Sequence, residues 1–407
     1  MSERPGRRVV VTGLGAVSSL GIGARPLTAA IREGRSGISP IEAFDASGFT
    51  HQRAGEVRGF RPEEHLRRID PDKWGESGRF AAAAARLAVT DSGIDPDELS
   101  AMRAGSSFGT NGESAVLVRL SRQWVEQGLD ALDPAQIGQA DGGRVAAAAN
   151  AELGLTGEAQ TVGTACAASN YSIGYGFDQV RSGEADAWVA GGADASNRTI
   201  HAGFHRLGAL AETVPRPFDA DRDGIVTAEG GVALLLEPLD AAVARGARIY
   251  AEVLGYGITC DAKQMTNPHA PSIAESIRRA HRSAGIKADD VDYVCAHGTG
   301  TQANDTTEVA ALREVFGDRL PPVSSIKSML GHTMGAAAGF GALVCCAAIH
   351  DGFLPPSATL RRVDPEIGDD VDCVPGTGRD ASPRVVQNHG FAFGGNNAIT
   401  VFGRVSA

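Results

Sequence analysis

The chain has 407 residues, 43% of them hydrophobic, enough for one large buried core or two domains packed as one body. Charged residues make up 21%, which argues against global disorder, and the formal net charge of −11 argues against nucleic acid or an anionic membrane as the main partner.

In chain order, Arg8-Val-Val-Val-Thr-Gly-Leu-Gly predicts a buried strand ending in a glycine turn, with no apolar signal-peptide core before it. A helix is predicted over 80–91 and strands over 101–108 and 187–191. Residues 111–145 are the least regular stretch and read as a surface insertion. Near Arg248 the pattern restarts: strand and glycine turn, then a helix over 273–284, a strand over 291–296 and a helix over 306–316. Alternation of strands and helices predicts an α/β protein, and the restart suggests two similar halves, 1–250 and 251–407. The longest apolar run, 336–349, is too short to span a bilayer and reads as a buried helix.

Six cysteines, with no CxxC pair and no zinc-type spacing, indicate a reducing, cytosolic setting and no metal. Cys166 lies in Gln-Thr-Val-Gly-Thr-Ala-Cys-Ala-Ala-Ser-Asn, between a short strand pattern and a helix over 167–181. A thiol at a helix N-terminus is favoured as thiolate and suited to relaying acyl groups between thioesters; a small buried cysteine is an equally good reading of this segment alone.

Two further segments join it. In Val-Cys-Ala-His297-Gly-Thr-Gly-Thr a strand delivers a histidine into a glycine turn, and in Lys327-Ser-Met-Leu-Gly-His332-Thr a second histidine stands just before the apolar helix. Such strand ends are where α/β sheets place ligand-contacting residues. Two N–H donors on a thioester oxygen would stabilise the enolate left when a malonyl unit loses carbon dioxide, and Lys327 is placed to set the protonation of a neighbouring histidine. Asp305-Thr-Thr-Glu308 fits a capping box at least as well as a catalytic role, and the two readings merge if Glu308 pairs with Lys327. The other histidines have no such setting, although His389 lies closer to a glycine turn. Phe391-Ala-Phe-Gly-Gly-Asn-Asn reads either as a substrate gate or as a tight turn with two core aromatics.

Together, Thr-Ala-Cys166-Ala-Ala-Ser, His297-Gly-Thr-Gly-Thr, Lys327-Ser-Met-Leu-Gly-His332-Thr and Phe391-Ala-Phe-Gly-Gly-Asn-Asn resemble the elongating β-ketoacyl-acyl-carrier-protein synthases and the catalytic ketosynthase subunits of type II polyketide systems. Arg216-Pro-Phe-Asp-Ala-Asp-Arg-Asp-Gly resembles the central loop of that family. The resemblance implies a thiolase-like fold, two halves in a five-layer α-β-α-β-α arrangement, acting as a dimer without a cofactor. It implies Cys166 as nucleophile, His297 and His332 as the decarboxylation pair, and Lys327 and Glu308 in support. It assigns Phe393, with Ala392 and Gly394, to the gate and the oxyanion hole shared with Cys166; Asp261 and Thr266 to a mobile loop; and Phe108 and Phe204 to the acyl pocket. The implied partners are an acidic acyl carrier protein, docking through Arg67, Arg68, Lys73 and Arg206 with Arg122 as a further candidate, and an identical or chain-length subunit in the dimer.

Some positions depart from the family pattern. Ala392 stands where glycine is usual and Asn396 where threonine is usual; Phe108 is bulky; 203–216 is short, and the region 74–80 also differs. These departures point away from housekeeping fatty acid synthesis. A degradative thiolase would need a second cysteine in the 391–397 turn, and chain-initiating synthases use Cys, His and Asn. A non-catalytic chain-length subunit is the main alternative, and such subunits usually lack the nucleophile.

Overall fold

The computed structural model describes residues 6–406. Its principal strands are β1 (Val9–Ser18), β2 (Ala104–Gly109), β3 (Ala159–Val162), β4 (Ala187–Asp194), β5 (Gly230–Pro238), β6 (Ala251–Cys260), β7 (Tyr293–Cys295), β8 (Val323–Ser324), β9 (Val385–Phe391) and β10 (Asn396–Gly403). The principal helices are α1 (Glu76–Ser92), α2 (Ser114–Gln127), α3 (Val145–Leu153), α4 (Ala168–Ser182), α5 (Arg198–Arg206), α6 (Ala270–Ala284), α7 (Gln302–Phe316) and α8 (Ala337–Asp351).

The strands lie in the order β8-β7-β9-β10-β6-β1-β5-β4-β2-β3. From either outer edge the pattern of directions is the same. β3, β2 and β4 run parallel, then β5 and β1 alternate; β8, β7 and β9 run parallel, then β10 and β6 alternate. The two sets meet where Val9–Val11 pair with Ala251–Val253. Helices α4 and α8 share one apolar core with both sets, including Ile173, Phe177, Phe340 and Leu343. Outside, α1 and α3 cover the first set through an alanine-rich layer, and α6 and α7 cover the second. This is the five-layer α-β-α-β-α arrangement that the resemblance implies.

The predicted glycine turn after Val9–Val11 is instead strand. β1 runs through Gly13 and Gly15 to Ser18, because α1 lies so close that a Cβ at either glycine would overlap the backbone oxygens of Ala88 and Ala84. The restart near 250 behaves in the same way. Gly255 and Gly257 lie inside β6, and a Cβ at either would collide with the backbone of α6. These glycines serve helix-on-sheet contact rather than a turn.

Other expectations shift less. Residues 101–103 belong to a preceding helix end and its connection, so that strand begins at Ala104. The stretch 111–145 is largely helical, and its α2 leaves Trp124 and Val125 57% and 84% exposed. The apolar run forms α8, a core helix buried on all sides, consistent with its lack of amphipathic patterning.

Gly15→Ala is expected to lower the unfolding free energy by roughly 1–3 kcal/mol, or more if α1 cannot shift. The measurement is the thermal midpoint beside Gly48→Ala, where the added methyl meets nothing within 4 Å; equal midpoints would contradict the close contact.

Candidate active site

Cys166 stands in a turn between β3 and α4. Ala165 before it adopts φ 48°, a left-handed conformation that a Cβ-bearing residue occupies only when its surroundings hold it there. A single 3-10 turn, Ala165–Ala167, then leads into α4 and leaves the thiol two residues ahead of the helix. The second half repeats this construction. Met334 has φ 51°, the turn Met334–Ala336 leads into α8, and His332 lies two residues before Met334.

The second turn is anchored by Asp194 at the end of β4, a residue that carries no sequence motif. Its carboxylate accepts from the Gly335 N–H at 2.6 Å, the Asn111 N–H at 2.8 Å and the Thr110 hydroxyl at 2.8 Å. Ser169 of α4 donates to the Gly335 carbonyl. Burial pushes the Asp194 carboxyl up to about 7 against these donors.

The thiol is not a preformed thiolate. Burial pushes Cys166 up to about 12, with Asp194 adding to the rise, while the Lys327 charge and the backbone N–H groups of Cys166 and Phe393 act in the opposite direction. Desolvation therefore outweighs the helix-end effect expected from the sequence. These two N–H groups lie beside the thiol, so an oxyanion forming on an acyl group attached to Cys166 would develop next to them.

His297 follows β7 and is held at both of its peptide groups. Its N–H donates to Glu308 Oε1 at 2.9 Å, the Gly298 N–H donates to Glu308 Oε2 at 2.8 Å, and Lys327 Nζ donates to the His297 carbonyl at 2.6 Å. Lys327 Nζ also lies 3.5 Å from His297 Nδ1. His332 is fixed by its N–H to Val226 O at 2.8 Å, and its Nδ1 accepts from the Met334 N–H at 3.1 Å. An ammonium and a backbone N–H can only donate, so each imidazole accepts at Nδ1 and carries its proton at Nε2. The rings are 5.5 Å apart at 83°. Burial, followed by the Lys327 charge, holds both histidines well below the ordinary imidazole range. The pair thus presents two neutral Nε2–H donors.

The capping-box reading of Asp305–Glu308 does not hold. Helix α7 begins at Gln302 and is capped by Thr301, whose hydroxyl accepts from the Asn304 N–H at 3.3 Å. Glu308 is one turn further on, fully buried and turned toward His297. Nor does it pair directly with Lys327. The two act on opposite sides of His297, and the carboxylate's side-chain partner is His389 Nδ1 at 2.8 Å.

Cys166, His297 and His332 line one cavity of about 370 Å³ with Phe204, Phe391 and Phe393. Asp261, Thr266 and Ala392 also line it. The 391–397 turn joins β9 to β10; of its two aromatics only Phe391 is core, whereas Phe393 is 39% exposed with its ring 5.9 Å from that of Phe204. The turn and the 261–266 loop are bonded to each other, Gly394 N–H to Met265 O at 2.9 Å and the Asn397 amide to Asp261 at 2.7 Å.

Phe108 is elsewhere, fully buried in the alanine-rich layer and outside the cavity lining. Arg67, Arg68 and Lys73 are likewise not brought to the cavity. Arg67 donates to the carbonyls of Glu63, Glu64 and Leu66, Arg68 to Asp97, and Lys73 lies near Asp70. Arg122 lies beside Glu126 on α2. Arg206 ends α5, the helix carrying Phe204, next to the cavity residues Leu207 and Gly208.

The chain is similar along nearly its whole length to characterised condensing enzymes. It is 36% identical to the 3-oxoacyl-[acyl-carrier-protein] synthase 2 of Synechocystis sp., covering 99% of both chains. It is 37% identical to nodulation protein E of Rhizobium leguminosarum bv. trifolii, covering 98% of this chain and 100% of the relative. Among solved structures, the ishigamide ketosynthase/chain length factor superposes with a TM-score of 0.96 at 46% identity, covering 98% of this chain and 100% of that one. A type II polyketide acyl-carrier protein in complex with its ketosynthase gives 0.90 at 29% identity over 98% and 100%. The N-terminal domain of the beta-ketoacyl synthase family matches residues 6–242 and its C-terminal domain residues 250–361. With the buried thiol and the histidine pair in one cavity, the chain belongs to the beta-ketoacyl synthase family of condensing acyltransferases.

Proposed function

We propose that the chain catalyses decarboxylative Claisen condensation of a carrier-protein-bound malonyl unit with an acyl chain held as a thioester on Cys166, in type II polyketide, polyene or fatty acid biosynthesis. The observation that carries this reading is the placing of two neutral Nε2–H donors in the same cavity as the Cys166 thiol. Transfer of the acyl group to Cys166 expels the carrier thiol, and the Cys166 proton passes to that leaving sulfur. The malonyl carboxylate then leaves as carbon dioxide, and its bonding pair becomes the enolate. Nε2–H of His297 and of His332 stabilise the enolate oxygen. The enolate carbon attacks the acyl carbonyl, whose oxygen is held by the N–H groups of Cys166 and Phe393, and the Cys166 thiolate leaves.

A chain-length subunit without chemistry of its own is the weaker reading, because this thiol and its donors are complete. The partners proposed are an acyl carrier protein and a second thiolase-like subunit, identical or chain-length determining. The solved relative described as a ketosynthase/chain length factor supports such pairing, as do the free outer edge of β3 and the exposed Trp124 and Val125 of α2. Arg206, beside the cavity, is the foremost docking residue; Arg67 and Lys73 hold contacts within their own segment and Arg68 is paired with Asp97. A cytoplasmic location agrees with six unpaired cysteines.

Mass spectrometry after incubation with an acyl-carrier-protein thioester should show one adduct, on Cys166, that is missing in Cys166→Ala; a folded wild-type chain that takes no adduct would favour the partner-subunit reading. His297→Ala and His332→Ala should each lower carbon dioxide release from malonyl-carrier protein by about 10²–10³-fold, and the double variant by far less than the product of the two. Full turnover in either single variant would contradict the mechanism. Because burial holds the thiol up to about 12, alkylation of Cys166 by iodoacetamide should accelerate steadily from pH 7 to 9; a plateau beginning below pH 8 would mean a resident thiolate.

A further inference from the structure

Behind the histidine pair lies a buried line of side chains that the condensation scheme does not use. His389 of β9 is 1% exposed, with Nδ1 2.8 Å from Glu308 Oε1 and Nε2 2.7 Å from the Gln387 amide nitrogen. Gln387 is fully buried on the same strand, and its amide oxygen lies 2.8 Å from Nε2 of His281 on α6. The directions of these bonds follow from the groups that make them. An amide nitrogen only donates, so His389 accepts at Nε2 and holds its single proton at Nδ1, facing Glu308. The amide oxygen only accepts, so His281 donates through Nε2 and keeps Gln387 in that orientation. Burial lowers the His281 pKa, with the Gln387 hydrogen bond opposing, and favours its neutral form.

Glu308 receives three donors in all: the N–H groups of His297 and Gly298, and His389 Nδ1. Two belong to the catalytic turn itself. His389 is the only one of the three carried by a different element, and its ring also rests against Phe391, whose ring contacts His297. We propose that His389 is a positioning residue for condensation: by donating to Glu308 from a tautomer fixed through Gln387 and His281, it holds the carboxylate that aims His297 Nε2 at the thioester oxygen. The proposal rests on the decarboxylative reading above. Its effect falls on decarboxylation, which His297 serves, and not on acyl transfer to Cys166, which uses the N–H groups of Cys166 and Phe393.

The test separates the two half-reactions in the full-length protein. His389→Leu keeps the bulk and removes the donor; His389→Asn can place an amide N–H where Nδ1 stood. Carbon dioxide release from malonyl-carrier protein is measured beside the rate of hexanoyl transfer from hexanoyl-carrier protein to Cys166. His389→Leu should lose about 10–100-fold in carbon dioxide release, the scale of a misplaced catalytic group, with hexanoyl transfer within twofold of wild type. His389→Asn should recover most of the loss. Unchanged carbon dioxide release in His389→Leu, equal losses in the two variants, or a parallel fall of both half-reactions overturns the proposal. If His389→Leu does not fold, His389→Gln, whose donor is displaced by one bond, takes its place under the same criteria. Wild-type protein that accepts hexanoyl but releases no carbon dioxide would instead refute the decarboxylative reading, before any variant is compared.

Discussion

The ammonium of Lys327 is buried with only 5% of the residue exposed, and its closest contact is the carbonyl of His297. From that place it acts on each member of the cavity. It occupies the Nδ1 side of His297, lowers the proton affinity of both histidines and opposes the rise of the Cys166 thiol. Burial in turn lowers the Lys327 pKa, with Glu308 among the groups that raise it. Burial keeps the histidines neutral and the thiol protonated; the interior cation reinforces the first effect and restrains the second. A cation of this kind is tolerable because its N–H groups are used and a carboxylate lies nearby, on the far side of the same histidine.

The scaffold that brings these groups together is a repeat, and the repeat is clearer in backbone than in side chains. The left-handed residues Ala165 and Met334 occupy equivalent turns before α4 and α8, yet the residues that follow them, Cys166 and Gly335, share no chemistry. One turn supplies the nucleophile. The other supplies a peptide N–H to Asp194 and is joined to α4 by Ser169, which donates to the Gly335 carbonyl. Outside, both halves place an outer helix directly on strand glycines. The two halves share their helix-on-glycine sterics, while the groups lining the cavity differ between them.

Much of this was legible in the sequence where chemistry and chain direction coincide. Cys166, His297 and His332 each stand at a glycine- or alanine-rich junction between elements, and all three meet in one cavity. The spacing of Asp305 and Glu308 misled because a capping box is a local pattern, whereas the buried carboxylate of Glu308 answers to β9, some eighty residues away. His389 stands out in the sequence only by its nearness to a glycine turn, because its partners, Glu308 of α7 and Gln387 of its own strand, form no local motif. Gly13 and Gly15 were taken for a turn because the helix that requires them lies far along the chain. Asp194 carried no motif at all, only the position at the end of a strand.

Phe393 has one further consequence. Its peptide N–H acts on the Cys166 thiol, while its ring lies 5.9 Å from that of Phe204 on the cavity wall, in a turn bonded to the 261–266 loop. One residue therefore serves both the shape of the cavity and the electrostatics of the thiol, so a substitution that reshapes the wall through the Phe393 backbone also alters the chemistry at Cys166.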